Sequence, residues 1–82
     1  LRSFRRDHLS VRAMVHYNRA EWADAEQTWR SVLKMAEDDQ DARAGCEAAL
    51  ALATTLRRRG RHKESRRYAQ QALEQSRQLH YR

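Results

Sequence analysis

Cysteine and histidine are the side chains in this sequence that most directly offer nucleophilic, acid–base or metal-binding chemistry. There is one cysteine, Cys46, and there are four histidines, His8, His16, His62 and His80. None of the histidines lies at zinc-ligand spacing from Cys46. A cysteine nucleophile needs a base held beside it, and the sequence pattern indicates no such pair. We therefore predict no catalytic residues, no metal site and no cofactor.

Arginine chemistry is more prominent, because basic side chains cluster in the second half of the chain. Residues 42–82 carry 10 Lys/Arg and 3 Asp/Glu, whereas residues 1–41 carry 7 and 8, and the whole chain has a net charge of +6. Such a cluster attracts phosphate groups or an acidic protein surface, although a solvated helix face has the same composition. The predicted basic patch consists of Arg58, Arg59, Arg61, Lys63, Arg66 and Arg67.

The elements that carry these residues are predicted to be helices. The 82-residue sequence has no proline and two glycines, which is fewer turn residues than a β-rich fold needs. Apolar residues recur at helical spacing: Ala49, Leu52, Ala53 and Leu56 share one face, and the core face of the first helix begins at Phe4. We predict four helices, at about residues 4–18, 22–37, 42–59 and 61–80.

Two features mark the breaks between the later helices. The acidic run from Glu37 to Asp41 ends one helix, and Asp41 is predicted to be the N-cap of the next. Because the run lacks the glycine and the terminal glutamate of a calcium loop, we interpret it as a solvated connection. Gly60 adopts the left-handed backbone conformation at low cost and is predicted to end the third helix.

The two halves of the chain correspond to each other at an offset of 40 residues. This shift places Leu9 on Ala49, Ala13 on Ala53, Ala20 on Gly60, Ala25 on Ser65 and Leu33 on Leu73. Identity is low, but size and polarity agree at most positions expected to be buried. A single helical hairpin cannot cover its own apolar face, whereas two stacked hairpins can. The offset therefore predicts two similar hairpins lying side by side.

The second half resembles a tetratricopeptide repeat. The positions that carry the resemblance are Ala49, Leu52, Ala53 and Leu56 in the first helix, Gly60 in the turn, and Ser65, Ala69, Ala72 and Leu73 in the second helix. The first half resembles the family less fully, because Arg12 replaces a large apolar residue and Ala20 replaces the turn glycine. The offset of 40 also exceeds the family's usual spacing of about 34 residues.

This resemblance implies an all-α fold in which four helices form two stacked antiparallel helix-turn-helix repeats, a fragment of a right-handed superhelix. It implies a single domain over residues 1–82, with repeat one at about 4–37 and repeat two at about 42–80. An unrelated four-helix bundle would share the same periodicity. Because members of the family are non-catalytic protein–protein interaction modules, no enzyme activity is expected.

In the family, the first helix of each repeat lines a concave groove. The residues on the corresponding face here are Ser10, Met14, Tyr17, Glu47, Leu50, Thr54 and Arg57. This mixture of apolar and polar side chains could accept an extended or helical peptide, although ordinary half-exposed surface looks similar. Some members bind a terminal carboxylate through Lys and Asn residues. Ser10 and Met14 stand at such positions, so we do not predict that clamp.

The expected partner is a protein or peptide, and the alternative is nucleic acid bound by the Arg57–Arg67 basic cluster. Arrays of this kind usually need about three repeats. We therefore expect further repeats in a larger regulatory or scaffold protein, or self-association through exposed repeat ends. The sequence has no run of about 20 apolar residues that would span a membrane. We expect a cytoplasmic location, and the arginine-rich, lysine-poor composition favours a bacterial source.

Overall fold

A computed structural model describes residues 2–80 of the chain, with side chains described for residues 5–79. Four helices follow one another: α1 (Arg2–Asn18), α2 (Trp22–Asp38), α3 (Ala42–Arg58) and α4 (His62–His80). No strand occurs within residues 2–80. The all-α prediction is therefore confirmed. The side chain of Phe4, and residues 1, 81 and 82 of the predicted domain, lie outside the described part.

Successive helices begin 20 residues apart, and the three connections between them have the same geometry. The second residue of each turn has a positive φ: 60° at Ala20, 55° at Gln40 and 79° at Gly60. Each of these residues donates its N–H to the carbonyl three residues earlier, and the next residue donates to the carbonyl five residues before itself. This paired bonding is the Schellman motif, which satisfies the last carbonyls of a helix. The offset of 40 thus covers two helix-and-turn units.

The prediction that Asp41 caps α3 is confirmed. Its Oδ1 accepts a hydrogen bond of 3.0 Å from the backbone N–H of Ala44, one of the amides that a helix start leaves without a partner. At the start of α2, Glu21 makes no such side-chain bond. The two helix starts therefore differ, although the preceding turns are alike.

The core is a seam of alanine, valine and leucine side chains, together with one tryptophan, between neighbouring helices. Its buried members are Ala13, Ala25, Trp29, Val32, Leu33, Ala36, Ala48, Ala49, Leu52, Ala53, Leu56 and Ala72. Small residues let the backbones approach closely. For example, the buried Ser65 Oγ of α4 donates a hydrogen bond of 2.7 Å to the Ala53 carbonyl of α3.

The helices form an open stack rather than a closed bundle. The main contacts are between sequence neighbours, α1 with α2, α2 with α3 and α3 with α4. The principal extents of 37 × 32 × 16 Å describe a slab. A closed four-helix bundle would instead bring its first and last helices together. The stacked-hairpin arrangement is therefore the one observed.

Several side chains predicted to pack are more exposed than expected. Leu73 is 53% exposed and Ala69 is exposed, because α4 packs through Ser65 and Ala72, and no other helix of residues 2–80 covers its opposite side. The resemblance implied that Ala69 and Leu73 pack against the neighbouring helix, and this expectation is wrong. Cys46 is half-buried, and its Sγ donates a bond of 3.3 Å to the Ala72 carbonyl.

Candidate functional site

A groove lies between α1 and α3, with α2 as its floor. Its volume is about 490 Å³, and it is lined by Arg6, Asp7, Ser10, Met14, Tyr17, Asn18, Trp29, Val32, Ala44, Glu47, Ala48, Ala51 and Thr54. We call this concavity the α1–α3 groove. The volume falls in the range of about 300–1,000 Å³ that is typical of ligand sites.

The 40-residue offset explains why two helices line one groove. The short turns reverse the chain after each helix, so α1 and α3 run in the same direction with α2 between them. Two pairs of positions that differ by 40 lie in this groove, whereas Leu50 and Arg57, which correspond to Ser10 and Tyr17, do not line it. Asp7 and Glu47 are one such pair, and Met14 and Thr54 are another; all four line the groove.

Five of the seven residues predicted for the groove line it: Ser10, Met14, Tyr17, Glu47 and Thr54. Leu50 and Arg57 are not among the lining residues, and both are exposed. The lining positions of α3 are 44, 47, 48, 51 and 54, so at about 100° per residue Leu50 and Arg57 are rotated toward the outer side of that helix. Sequence spacing identified the correct helix but wrongly assigned to the groove two residues, Leu50 and Arg57, that face the outer side of α3.

The apolar floor and one wall of the groove are held in fixed positions. Trp29 of α2 is 7% exposed and Val32 is buried, whereas Met14 of α1 is 53% exposed. Tyr17 packs edge-on against Trp22 with ring centroids 5.0 Å apart. Its hydroxyl accepts a bond of 3.3 Å from Arg58 Nε. The groove therefore combines an ordered aromatic wall with an accessible thioether.

Arg6 closes the end of the groove nearest the start of α1. Its two terminal nitrogens donate to Asp39 Oδ2 at 3.0 Å and to Asp41 Oδ2 at 2.7 Å. The arginine is 8% exposed. The backbone N–H of Ala44, and then the charge and hydrogen bond of Arg6, lower the pKa of Asp41. These bonds fix α1 to the turn between α2 and α3.

A second charged cluster joins the two hairpins, and its acidic members were not identified from the sequence. Glu26 of α2 is buried and accepts hydrogen bonds from Arg30 Nη2 at 2.9 Å, Arg59 Nη1 at 2.8 Å and Arg61 Nη1 at 3.0 Å. Glu64 of α4 pairs with Arg61 and with Arg30. We call Glu26, Arg30, Arg59, Arg61 and Glu64 the inter-hairpin cluster.

Burial alone would raise the pKa of Glu26, because it disfavours the charged carboxylate. The hydrogen bonds from Arg30 and Arg59, together with the charges of Arg30 and Arg61, outweigh that effect, so the pKa of Glu26 lies below its usual value. Sequence spacing could have suggested the Glu26–Arg30 pair, which is four residues apart on one helix. The bonds to Arg59 and Arg61 require the two hairpins to be stacked.

The inter-hairpin cluster includes part of the predicted basic patch. Two of the six residues of that patch, Arg59 and Arg61, are bound to Glu26. Arg58 contacts Tyr17, and the guanidinium of Arg67 lies 5.5 Å from the centre of the Tyr68 ring. All six residues of the basic patch are nevertheless exposed. The carboxylates of Glu26 and Glu64 therefore offset part of the positive charge of the patch, but its side chains still reach solvent.

His16 is half-buried and lies beside a carboxylate. Its Nδ1 lies 3.0 Å from Glu21 Oε1. Ligand-capable atoms of His16, Glu21 and Asp24 lie within 4.8 Å of one another, but the two acidic residues are exposed. Exposed carboxylates often lie this close together without a metal, so this cluster defines no site.

The open stack of helical hairpins and the groove along its first helices define a helical-repeat array. The family model described as Tetratricopeptide repeat matches residues 46–80, which cover most of α3 and all of α4. Residues 46–80 are therefore similar to a tetratricopeptide repeat, and the first half of the chain repeats their backbone geometry at an offset of 40 residues. Tetratricopeptide repeats are generally non-catalytic protein–protein interaction modules.

Comparison with curated proteins gave no match, and comparison with solved structures gave none. None of the helices in residues 2–80 combines the length and the apolar character needed to cross a bilayer.

Proposed function

We propose that this chain binds a peptide segment of a protein partner in the α1–α3 groove. The observation that carries the proposal is the lining itself: an apolar floor of Trp29 and Val32, an aromatic wall at Tyr17 and an accessible Met14 in one concavity of about 490 Å³. Thioether and aromatic side chains are adaptable and well suited to binding apolar anchors. The family to which residues 46–80 are similar supports a protein partner.

We also propose that residues 1–82 act as one domain of two repeats. The inter-hairpin cluster crosses from repeat one to repeat two, and the Arg6 bonds join repeat one to the connection that leads into repeat two. Such cross-repeat contacts favour cooperative unfolding, since stability in repeat arrays depends on the interfaces between neighbours.

The test is a selection of peptides from a displayed library of random 12-residue sequences, followed by binding measurements on two variants. Met14→Glu places a charge in the groove and is expected to lower the affinity for the recovered peptides by tenfold or more. Val11→Glu is the matched control, because Val11 lies on the same helix, is 58% exposed and does not line the groove. If both variants bind the recovered peptides as the original chain does, the groove is not the binding site.

Nucleic acid bound by the Arg57–Arg67 cluster is the alternative proposal. Its support is the exposed remainder of that cluster, which includes Lys63 and Arg66. Binding of this kind would weaken steeply with salt concentration and would not respond to Met14→Glu.

A further inference from the structure

We propose that the segment bound in the α1–α3 groove is basic as well as apolar, with a Lys or Arg placed near the first turns of α1 and α3. This inference rests on the proposed function and specifies the chemistry of its partner. It follows from which charges in the groove are already neutralised and which are not.

Arg6 is the one positive residue among the groove's described lining residues. Both of its terminal nitrogens are bound to carboxylates, at 3.0 Å to Asp39 and 2.7 Å to Asp41. A guanidinium with two carboxylate partners, at 8% exposure, has little left to offer an acidic ligand. Among the described lining residues, no cation is therefore left to bind an acidic peptide or a terminal carboxylate, and the exposed Arg58 at the edge of the groove is bonded to the Tyr17 hydroxyl.

Asp7 and Glu47 are the negative residues of the same lining. Both are exposed, and neither has an ion-pair partner among the described side chains. They are separated by the 40-residue offset, so they occupy corresponding positions on the two parallel helices that line one groove. Two uncompensated carboxylates beside an apolar floor attract a cationic side chain whose neighbour is apolar.

The overall charge of the chain would give the opposite preference. A net charge of +6 attracts acidic partners at long range. That field is screened beyond about 8 Å at physiological ionic strength. A preference for basic peptides, measured at 0.15 M salt, would therefore report the local carboxylates and not the average charge.

The composition of the selected peptides gives the first readout. Peptides whose binding is weakened by Met14→Gln, a neutral change that leaves the carboxylates of the groove unaltered, are expected to be enriched in Lys and Arg, together with Leu, Met and aromatic residues. If the Met14-dependent peptides are neutral or acidic, the charge inference is overturned while the proposed function stands. If no recovered peptide depends on Met14, the proposed function itself fails, and this inference falls with it.

The double variant Asp7→Asn/Glu47→Gln gives the second readout. Exposed ion pairs contribute about 0.2–1 kcal/mol each. Losing the pairs made by Asp7 and Glu47 is therefore expected to lower the affinity for a basic peptide by roughly twofold to thirtyfold. The matched control is Asp38→Asn/Glu74→Gln, which changes the net charge equally at exposed positions outside the groove. Equal weakening in the two double variants would show that the carboxylates of the groove have no special role, and would overturn the inference.

Discussion

Glu26 of α2 and Arg61 of the last turn form an ion pair of 3.0 Å between residues 35 positions apart, and the glutamate is buried. Arg59 contacts the same carboxylate at 2.8 Å. One carboxylate thus joins repeat one to the turn of repeat two. The relative position of the hairpins, and with it the shape of the α1–α3 groove, depends partly on this contact.

Glu26→Gln is expected to destabilise the fold. It leaves the three arginines without their shared counter-charge, and breaking a buried ion pair typically costs about 3–5 kcal/mol. Because the arginine side chains are 34–41% exposed, we expect a smaller loss, about 2 kcal/mol of unfolding free energy. Urea denaturation checks this value, with the exposed Glu37→Gln as control, which should change it by less than about 0.5 kcal/mol. Equal effects of the two variants would contradict a stabilising role for the inter-hairpin cluster.

Acid is expected to destabilise the chain through Glu26 and Asp41. The folded-state pKa of each lies below its ordinary value, 4.5 for Glu26 and 3.8 for Asp41. The stability that each contributes is complete above its unfolded pKa and is lost as the pH falls through the folded pKa. Urea denaturation from pH 7 to pH 2 should show this loss, and the Glu26→Gln variant should show a smaller one. If the variant and the original chain lose stability equally, Glu26 is not a source of the pH dependence.

Replacing the left-handed residue by glycine is expected to stabilise the two turns that lack a glycine, those at Ala20 and Gln40. Non-glycine residues pay about 1–2 kcal/mol for left-handed backbone conformations, partly offset by the flexibility that glycine adds to the unfolded chain. Ala20→Gly and Gln40→Gly should therefore raise the unfolding free energy by about 0.5–1 kcal/mol each. Gly60→Ala, at the corresponding place in the third turn, should lower it by about 1 kcal/mol. Thermal denaturation checks the signs, and a stabilising Gly60→Ala would contradict this account of the turns.

The fold was predictable from the sequence because its local signals agree with its packing. Helical periodicity placed all four helices within two residues at each end, and the 40-residue offset identified the corresponding turns. The left-handed residue Gln40 was not predicted, because glutamine does not mark such a position as Gly60 does.

The site was only partly predictable, because its boundaries depend on tertiary contacts. Spacing identified Met14 and Tyr17, but the exposure of Leu73 depends on which neighbours α4 has. The role of Arg61 as an ion-pair partner could not be predicted from the sequence either. A cluster of arginines suggests a binding patch, and only the stacking of the hairpins places Glu26 beside it. Long-range pairs of this kind carry no spacing signal.

The most direct test of the central claim is to map the amide chemical shifts of the isotope-labelled chain while the tightest selected peptide is added. The account predicts that the largest changes cluster at the lining of the α1–α3 groove, around Met14, Tyr17, Ala51 and Thr54, with little change along Lys63–Arg67. Changes confined to Lys63–Arg67, with the groove unaffected, would contradict it and would favour the basic cluster as the binding surface.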